Sequence, residues 1–132
     1  MAIADRSGLP VAISIASASP HEVALVEQTL DHSFLRQMPE RLIGDRAYDS
    51  DSLACRLWQE RRIELIAPHR GNRIFKTQDG RPLRRYKRRW KIERLFSWFN
   101  HFRRSSMRYE YHAQNFLAFL HLICAIILMR HL

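Results

Sequence analysis

Asp45 is a residue whose type and position suggest chemistry. It ends a brief apolar run, residues 41–45 (RLIGD), which is typical of a buried strand. Carboxylates are seldom buried without a partner, and open α/β sheets bind ligands just beyond the carboxyl ends of their strands. Asp45 is therefore a candidate for a functional carboxylate at this edge of the sheet. The alternative is a residue that only caps a turn or helix, but Asp49 and Asp51 fit that role better because the next predicted helix begins right after them.

Glu93 is the second candidate, because it is the only acidic residue between Arg81 and Tyr109 and lies in the most basic stretch of the chain. One interpretation is an ordinary ion pair with Arg89, four residues earlier. The other is a metal ligand that projects from a long helix towards Asp45. Hard cations such as Mg²⁺ bind one or two carboxylates together with phosphate oxygens and water, and paired metals of this kind perform phosphodiester chemistry. The spacing by itself does not decide between the two interpretations.

Positive charge is concentrated in the second half of the chain. Residues 1–67 contain 7 Lys and Arg against 10 Asp and Glu, whereas residues 68–132 contain 15 against 3, and the whole chain has a net charge of +9. Residues 81–91 contain many cations, aromatic side chains and no acid. Such a block usually faces a polyanion, which we favour over a solvated helix face. The predicted DNA-binding residues are Arg70, Arg73, Lys76, Arg84, Arg85, Tyr86, Lys87, Arg88, Arg89, Lys91, Arg103 and Arg104.

Other kinds of site lack their signatures in this sequence. The seven histidines form no HExxH or H-x₃-H pattern, which argues against a zinc site. There is no glycine-rich phosphate loop of an NTPase and no recognisable Ser-His-Asp nucleophile motif. Two cysteines cannot form a disulfide framework, and the first residues lack the pattern of a signal peptide. We therefore expect one domain in a reducing compartment, the cytoplasm.

Alternating strands and helices must position the candidate residues. The fold class that the pattern predicts is α/β, in the order ββαβαβ followed by two C-terminal helices. Asp45 would lie at the end of the third strand, and Glu93 would project from the first C-terminal helix. The predicted strands cover 1–5, 11–18, 41–45 and 64–67; the predicted helices cover 21–30, 51–62, 83–104 and 113–129; a basic loop covers 69–82.

The C-terminal apolar run, residues 116–129, has two interpretations. A helix that is apolar on all sides is either a central core helix or a membrane segment. The run has 14 residues, whereas crossing the hydrocarbon core of a bilayer takes about 20, and His121 lies near its middle. We favour a core helix and expect no membrane association. A small membrane or interaction protein built on this helix is the alternative.

Five sequence segments are distributed along the chain: LPVAISIASASPHE, RLIGDRAYDSD, ELIAPHRGNR, RRYKRRWKIERLFSWFNHFRR and RYEYHAQNFLAFLHL. In this order they resemble the C-terminal part of bacterial insertion-sequence transposases of the DDE type, in particular the insertion-sequence-five group. Tyr86, Arg89 and Glu93 match the family's signature of a tyrosine, an arginine and a glutamate at the same spacing. The signature ends in a Lys or Arg seven residues after the glutamate, whereas this sequence has Asn100 there.

The resemblance implies a ribonuclease H-like fold in which three acidic residues hold two divalent metal ions, usually Mg²⁺ and alternatively Mn²⁺. By this resemblance, Asp45 is the second acid and Glu93 the third. The family's first acid lies on a strand that precedes the segment matching residues 1–10, so Asp5 is not assigned that role. We therefore expect a partial DDE catalytic domain over residues 1–132, without its first strand and without the family's N-terminal DNA-binding region.

The function implied by the resemblance is transposition of an insertion sequence by metal-dependent cleavage and strand transfer of DNA. We expect the isolated chain to be inactive, because the first catalytic Asp is absent. The expected partners are insertion-sequence ends and target DNA, further copies of the chain and an upstream transposase polypeptide, in the bacterial cytoplasm at the nucleoid. A nucleic-acid-binding remnant without catalysis is the alternative.

Overall fold

Four strands and six helices make up the described part of the computed structural model, residues 1–17, 19–75 and 80–131. This composition confirms the mixed α/β class that the sequence predicts. The strands are β1 (Ala2–Ala4), β2 (Pro10–Ile13), β3 (Arg41–Ile43) and β4 (Glu64–Ile66). The helices are α1 (Glu22–Asp31), α2 (Asp51–Arg61), α3 (Gly80–Leu83), α4 (Trp90–Asn100), α5 (Arg103–Ser106) and α6 (Ala113–Met129), with two 3₁₀ segments, Arg46–Tyr48 and Arg84–Arg89.

β1 and β2 form an antiparallel hairpin whose turn is closed by Asp5. The Asp5 Oδ1 atom accepts hydrogen bonds from the amides of Ser7 and Leu9, at 2.7 and 2.9 Å. Gly8 completes the turn with a φ of 85°, in the left-handed region that favours glycine. Asp5 therefore has a structural role in this turn.

β2 is shorter than the strand predicted over residues 11–18. Ala2 lies opposite Ile13 in the hairpin, so only Met1 remains to pair with Ser14, whose amide donates to the Met1 carbonyl at 2.9 Å. The Ser14 hydroxyl turns instead to the Thr29 hydroxyl of α1, at 2.7 Å. β2 therefore ends at Ile13, where the next side chain turns towards α1.

β3 and β4 form a separate, parallel pair that α2 connects. Arg41 lies opposite Glu64 in the register, and their side chains form an ion pair at 2.9 Å. α2 begins after Ser50, whose Oγ atom accepts a hydrogen bond from the Leu53 amide at 3.4 Å. Among the described residues, no strand pairing joins β3 and β4 to the β1–β2 hairpin. The strand–helix–strand unit places Asp45 at the carboxyl end of this parallel pair.

Two apolar clusters hold the elements together. The first packs β2 against α4 and α6 through Ile13, Leu95, Phe99, Leu120, Ile123, Cys124 and Ile127. The second packs α1 against α2 and the start of β4 through Val26, Leu30, Leu53, Leu57 and Ile63. Burying one aliphatic side chain of this size stabilises a fold by roughly 1.5–3 kcal/mol relative to leaving it exposed. These clusters supply the rigid support on which the candidate site is built.

α6 occupies the core position that we favoured from its apolar sequence. Leu120, Ile123 and Cys124 are all buried against the first cluster. Burial raises the pKa of the Cys124 thiol to about 11. Within the described ranges, no helix combines the length and the hydropathy that crossing a bilayer requires.

The single helix predicted over residues 83–104 is divided in the structure. α3 passes into the 3₁₀ segment Arg84–Arg89, and α-helical winding resumes only with α4. Like charges four residues apart destabilise an α-helix, and cations near its N-terminus oppose the helix dipole. Both effects disfavour α-helical winding of the RRYKRR run. After α4 the backbone extends at Phe102, with φ −99° and ψ 101°, so that α5 is a separate turn.

Candidate active site

Asp45 lies just beyond β3 and begins the 3₁₀ segment Arg46–Tyr48. Its Oδ1 atom accepts a hydrogen bond from the Ala47 amide at 2.8 Å, so one carboxylate oxygen caps the turn. Gly44 leaves room for the Tyr48 ring, because a Cβ atom at residue 44 would lie 2.9 Å from Tyr48 Cδ2. The Asp45 side chain is 40% exposed and its Oδ2 atom faces Arg89. Asp45 thus combines the capping role with a second oxygen that is open to another partner.

Tyr48 adds a neutral phenol next to this carboxylate. Burial, together with the negative charges of Glu22 and Asp45, raises the pKa of Tyr48 to about 12. The phenol therefore stays protonated at neutral pH. It can act as a hydrogen-bond donor but does not add a third negative charge to the site.

Arg89 bridges Asp45 and Glu93. Its Nη2 atom donates to Glu93 Oε1 at 2.8 Å, and its Nη1 atom lies 3.6 Å from Asp45 Oδ2. The hydrogen bond with Glu93 raises the pKa of Arg89, and burial only partly opposes this effect. The guanidinium carbon also lies 5.7 Å from the centre of the Tyr86 ring. The ion pair with Glu93 is therefore present. The same guanidinium connects Tyr86 and Glu93, the other two signature residues, to Asp45.

Glu93 is positioned by the first turn of α4. Leu95 and Phe99 of the same helix are buried in the first cluster, which fixes the orientation of α4. The Glu93 side chain itself is 59% exposed. A carboxylate in the first turn of a helix interacts favourably with the helix dipole. Glu93 is thus held on a rigid helix while its carboxylate remains accessible.

The donor set bears on the divalent metal that the family resemblance implies. Across residues 1–17, 19–75 and 80–131, no group of three or more His, Cys, Asp or Glu side chains is arranged to hold a metal ion. Asp45 and Glu93 contact different nitrogen atoms of one guanidinium. Hard divalent cations accept one or two carboxylates when water and phosphate oxygens complete the shell. Asp45 and Glu93 are thus donors of the type that such an ion accepts, whereas a two-metal site needs further ligands.

Asp49 is the centre of a second polar cluster, which the sequence did not single out. Its carboxylate is only 8% exposed and accepts hydrogen bonds from His69 Nδ1 at 3.0 Å, the Arg70 amide at 2.8 Å and Arg73 Nη1 at 2.7 Å. Burial alone would raise the pKa of Asp49, but these donors outweigh it and lower the pKa. Asp49 therefore anchors the loop over residues 69–75.

Arg70 and Arg73, two of the predicted DNA-binding residues, make contacts within the protein. Arg70 donates to the carbonyl oxygens of Arg46 and Ala47, at 3.2 and 2.9 Å. Arg73 is 18% exposed and contacts the Asp51 carboxylate at 2.6 Å in addition to the contact described above. Both side chains therefore hold the loop against the segment that follows Asp45 in the chain.

Four exposed cations of the second 3₁₀ segment form a surface that we name the basic face: Arg84, Arg85, Lys87 and Arg88. No described residue forms an ion pair with any of these four side chains. They directly precede Arg89 and Glu93 in the chain, on an element that packs against β3. The basic face therefore adjoins the two-carboxylate site.

The remaining predicted DNA-binding residues are placed differently. Lys91 donates to a backbone carbonyl of the hairpin turn. Arg104 forms an ion pair with Glu110 at 3.2 Å, while Arg103 is exposed at the start of α5. Lys76 lies outside the described residues. The cations of the basic face are thus less engaged by the protein than Arg70, Arg73, Lys91 or Arg104.

Comparisons with known proteins place the chain in a family. A family model described as Transposase DDE domain matches residues 1–128. A protein of Burkholderia cepacia named as a transposase for insertion sequence element IS402 is 31% identical over 133 aligned positions, which cover 95% of this chain and 59% of the relative. The chain thus spans less than two-thirds of the length of that relative. No solved structure matches the chain.

The family match includes the whole segment in which Asp45, Arg89 and Glu93 meet. It also extends over both strand pairs, β1–β2 and β3–β4, and over nearly all of α6. The match confirms the family that the sequence motifs indicated. The chain belongs to the family of the transposase DDE domain.

Proposed function

We propose that the chain carries part of the catalytic domain of an insertion-sequence transposase, in which Asp45 and Glu93 are divalent-metal ligands for chemistry on DNA phosphodiesters. The observation that carries this proposal is the Arg89 bridge, where two carboxylates from distant parts of the chain meet one guanidinium. Such a pair beside a cationic surface suits metal-dependent phosphodiester chemistry. Mg²⁺ is the metal we propose, and Mn²⁺ its substitute.

The two carboxylates would divide the binding of one ion between them. When bound, the ion would activate water or a 3′-hydroxyl and stabilise the leaving oxygen. Asp45 would use Oδ2, because the Ala47 amide already occupies Oδ1. Glu93 would contribute an oxygen from the rigid first turn of α4. Water and phosphate oxygens would fill the remaining positions.

The basic face would bind the DNA next to this site. Its four cations are exposed and carry no ion pair with a described residue, so their charges are open to phosphate oxygens. Phosphate contacts position DNA but carry no sequence information. We therefore propose binding that is electrostatic and largely indifferent to sequence, with the backbone directed towards Asp45 and Glu93.

A ribonuclease H-like fold, of which residues 1–132 form a part, belongs to the same proposal. The separation of β1–β2 from β3–β4 supports a sheet with a gap between the two pairs. The chain also spans only 59% of the relative's length. We propose that a segment outside these 132 residues, in the same polypeptide or in an upstream transposase polypeptide, supplies a further strand and a third carboxylate, in an assembly with further copies of the chain in the bacterial cytoplasm.

Incompleteness has a direct test in DNA cleavage. We expect the 132-residue chain alone to leave an end-bearing DNA uncut in Mg²⁺ or Mn²⁺. Addition of a polypeptide that carries the missing part should restore cleavage, and Asp45→Ala or Glu93→Ala in that mixture should abolish it. Cleavage by the chain alone that disappears on Glu93→Ala would contradict incompleteness.

A nucleic-acid-binding module without catalysis is the second candidate function. It is favoured by the lack of a three-residue metal cluster among the described side chains, together with the exposure of the basic face. This candidate predicts DNA binding without any specific metal site. It also predicts that Asp45→Asn and Glu93→Gln leave metal binding unchanged.

Mn²⁺ binding to the purified chain, followed by electron paramagnetic resonance, separates the two functions. We expect Asp45→Asn and Glu93→Gln each to weaken Mn²⁺ binding about tenfold, because each removes one negative charge from the ion's contacts. Glu60→Gln is the matched control, since Glu60 is an exposed carboxylate on α2. Affinities that equal that of Glu60→Gln would favour the non-catalytic module.

A further inference from the structure

Arg89 occupies the place where a cation would sit between the two carboxylates. We infer that Arg89 is a resident counter-cation, which a divalent metal ion displaces from Asp45 and Glu93 and which then becomes available to a DNA phosphate. This inference rests on the proposed function, in which the two carboxylates are metal ligands. It assigns to Arg89 a positioning role that couples metal binding to DNA binding.

The contacts of Arg89 and those of a metal ion exclude each other. Arg89 Nη2 holds Glu93 Oε1 at 2.8 Å, and Nη1 faces Asp45 Oδ2 at 3.6 Å. Oδ2 is the Asp45 oxygen that the turn leaves open, since Oδ1 accepts from the Ala47 amide. A divalent ion on these same oxygens would lie within a few ångströms of the guanidinium, where like charges repel. The guanidinium and the ion therefore compete for these two oxygens.

The guanidinium is held loosely enough to leave. Its side chain is 38% exposed, and its two partners are 40% and 59% exposed. Ion pairs at such exposure contribute little to stability. The Tyr86 ring, whose centre lies 5.7 Å from the guanidinium carbon, offers a contact that does not involve either carboxylate.

A displaced Arg89 would extend the basic face. Arg85 and Arg88 are exposed on the same 3₁₀ segment, and neither pairs with a described residue. Release of Arg89 from its carboxylates adds one more free cation to this surface. Phosphate binding and metal binding should therefore support each other, since a phosphate that holds Arg89 removes it from the metal ligands.

The alternative role for Arg89 is a purely structural link between β3 and α4. A structural link predicts that Arg89→Gln lowers the melting temperature and leaves the affinity for a metal ion unchanged or weaker. If Arg89 is a counter-cation, Arg89→Gln should instead bind the metal ion more tightly. The two roles are thus separated by a binding measurement that does not depend on catalysis.

The test is Mn²⁺ affinity of the full chain by electron paramagnetic resonance, for the wild type, Arg89→Gln and Arg88→Gln. We expect Arg89→Gln to bind Mn²⁺ about tenfold more tightly, because one positive charge near the ion is removed. Arg88→Gln is the matched control: it removes the same charge from an exposed neighbour and should change the affinity far less. In the wild type, saturating Mg²⁺ should also shift the side-chain ¹⁵Nε resonance of Arg89.

Failure of the inference differs from failure of the proposed function. If Asp45→Asn and Glu93→Gln weaken Mn²⁺ binding but Arg89→Gln does not strengthen it beyond the control, the counter-cation role is wrong and the metal site stands. If Asp45→Asn and Glu93→Gln have no effect, the metal site and the role of Arg89 are both overturned. Tighter binding in Arg89→Gln that Glu93→Gln reverses in the double variant supports both.

Discussion

The Arg94 guanidinium packs directly against Gly8 and ties α4 to the turn of the N-terminal hairpin. Arg94 Nη2 donates to the Ser7 carbonyl, and the guanidinium carbon lies 4.9 Å from the ring centres of both Trp90 and Trp98. A Cβ atom at residue 8 would lie 2.5 Å from Arg94 Nη2. A side chain at residue 8 would have to displace this guanidinium, and the φ of 85° favours glycine there. The contact with Arg94 ties the turn to the helix that carries Glu93.

Substitution of Gly8 should therefore destabilise the protein. We expect Gly8→Ala to lower the free energy of unfolding by about 1–3 kcal/mol, because residue 8 is in the left-handed region and the new methyl group would displace Arg94. Gly71→Ala is the matched control, since nothing lies within 4 Å of a Cβ atom there. Urea unfolding measures both, and equal losses would show that the contact with Arg94 is unimportant.

Asp49 should make stability depend on pH in the acid range. Because folding lowers the pKa of Asp49, its contribution is complete above the pKa of the unfolded carboxyl group, about 4. It is lost as the pH falls through the still lower pKa of the folded state. Asp49→Asn should cost about 1–3 kcal/mol near neutral pH, since it removes the buried charge and replaces one of the two accepting oxygens with an amide donor. Urea unfolding from neutral pH to about pH 2 should show that this cost shrinks with acidification.

Asp51→Asn is the control for this pH dependence. Asp51 contacts the same Arg73 guanidinium, but its side chain is 80% exposed against 8% for Asp49. Exposed ion pairs contribute little to stability, so this variant should follow the wild-type pH profile closely. A constant cost of Asp49→Asn at every pH would contradict the role assigned to its charge.

The two cysteines should differ sharply in reactivity. Cys55 is exposed, whereas Cys124 is 1% exposed in the core, where burial raises the pKa of its thiol to about 11. Near pH 8, about one Cys124 thiol in a thousand would be the reactive thiolate. We expect maleimide to label Cys55 alone until urea unfolds the chain. If Cys55→Ser is labelled as fast in native buffer as in urea, α6 is not packed in the core.

The basic face should set the salt dependence of DNA binding. The double variant Arg84→Gln and Arg88→Gln should reduce the slope of log affinity against log salt by up to about 2, since each lost phosphate contact reduces it by about 0.9. Arg36→Gln with Arg130→Gln removes the same charge from exposed residues outside the basic face. Equal slopes for the two double variants in a fluorescence anisotropy titration would show that Arg84 and Arg88 do not contact the DNA phosphates.

Sequence patterns were most informative where the determinants are local. The apolar run before Asp45 predicted a strand over residues 41–45, and β3 ends two residues earlier, at Ile43. The four-residue spacing indicated an ion pair between Arg89 and Glu93 as one of two interpretations, and that ion pair is present. The apolar stripe of residues 92–102 predicted a helix, and its Leu95 and Phe99 are buried. Apolar periodicity did not indicate that repulsion within RRYKRR interrupts the α-helix, because it ignores like charges.

Contacts between distant residues could not be predicted in the same way. Asp49 lies more than 19 residues from each of its partners, His69, Arg70 and Arg73. A loop without periodicity gives no indication of which of its cations turn inward, so Arg70 and Arg73 were assigned only by their charge. The position of Arg89 between both carboxylates likewise depends on how β3 packs against the 3₁₀ segment.

The claim that Asp45 and Glu93 form one metal site is tested most directly by iron-dependent cleavage of the polypeptide. Fe²⁺ that replaces Mg²⁺ generates hydroxyl radicals with ascorbate and peroxide, and these radicals cut the backbone close to the bound ion. We predict cuts in two segments of the same sample, residues 44–48 and 89–94, which excess Mg²⁺ suppresses and Glu93→Gln abolishes. Cuts in only one segment, or a pattern that neither Mg²⁺ nor Glu93→Gln changes, would contradict a shared site.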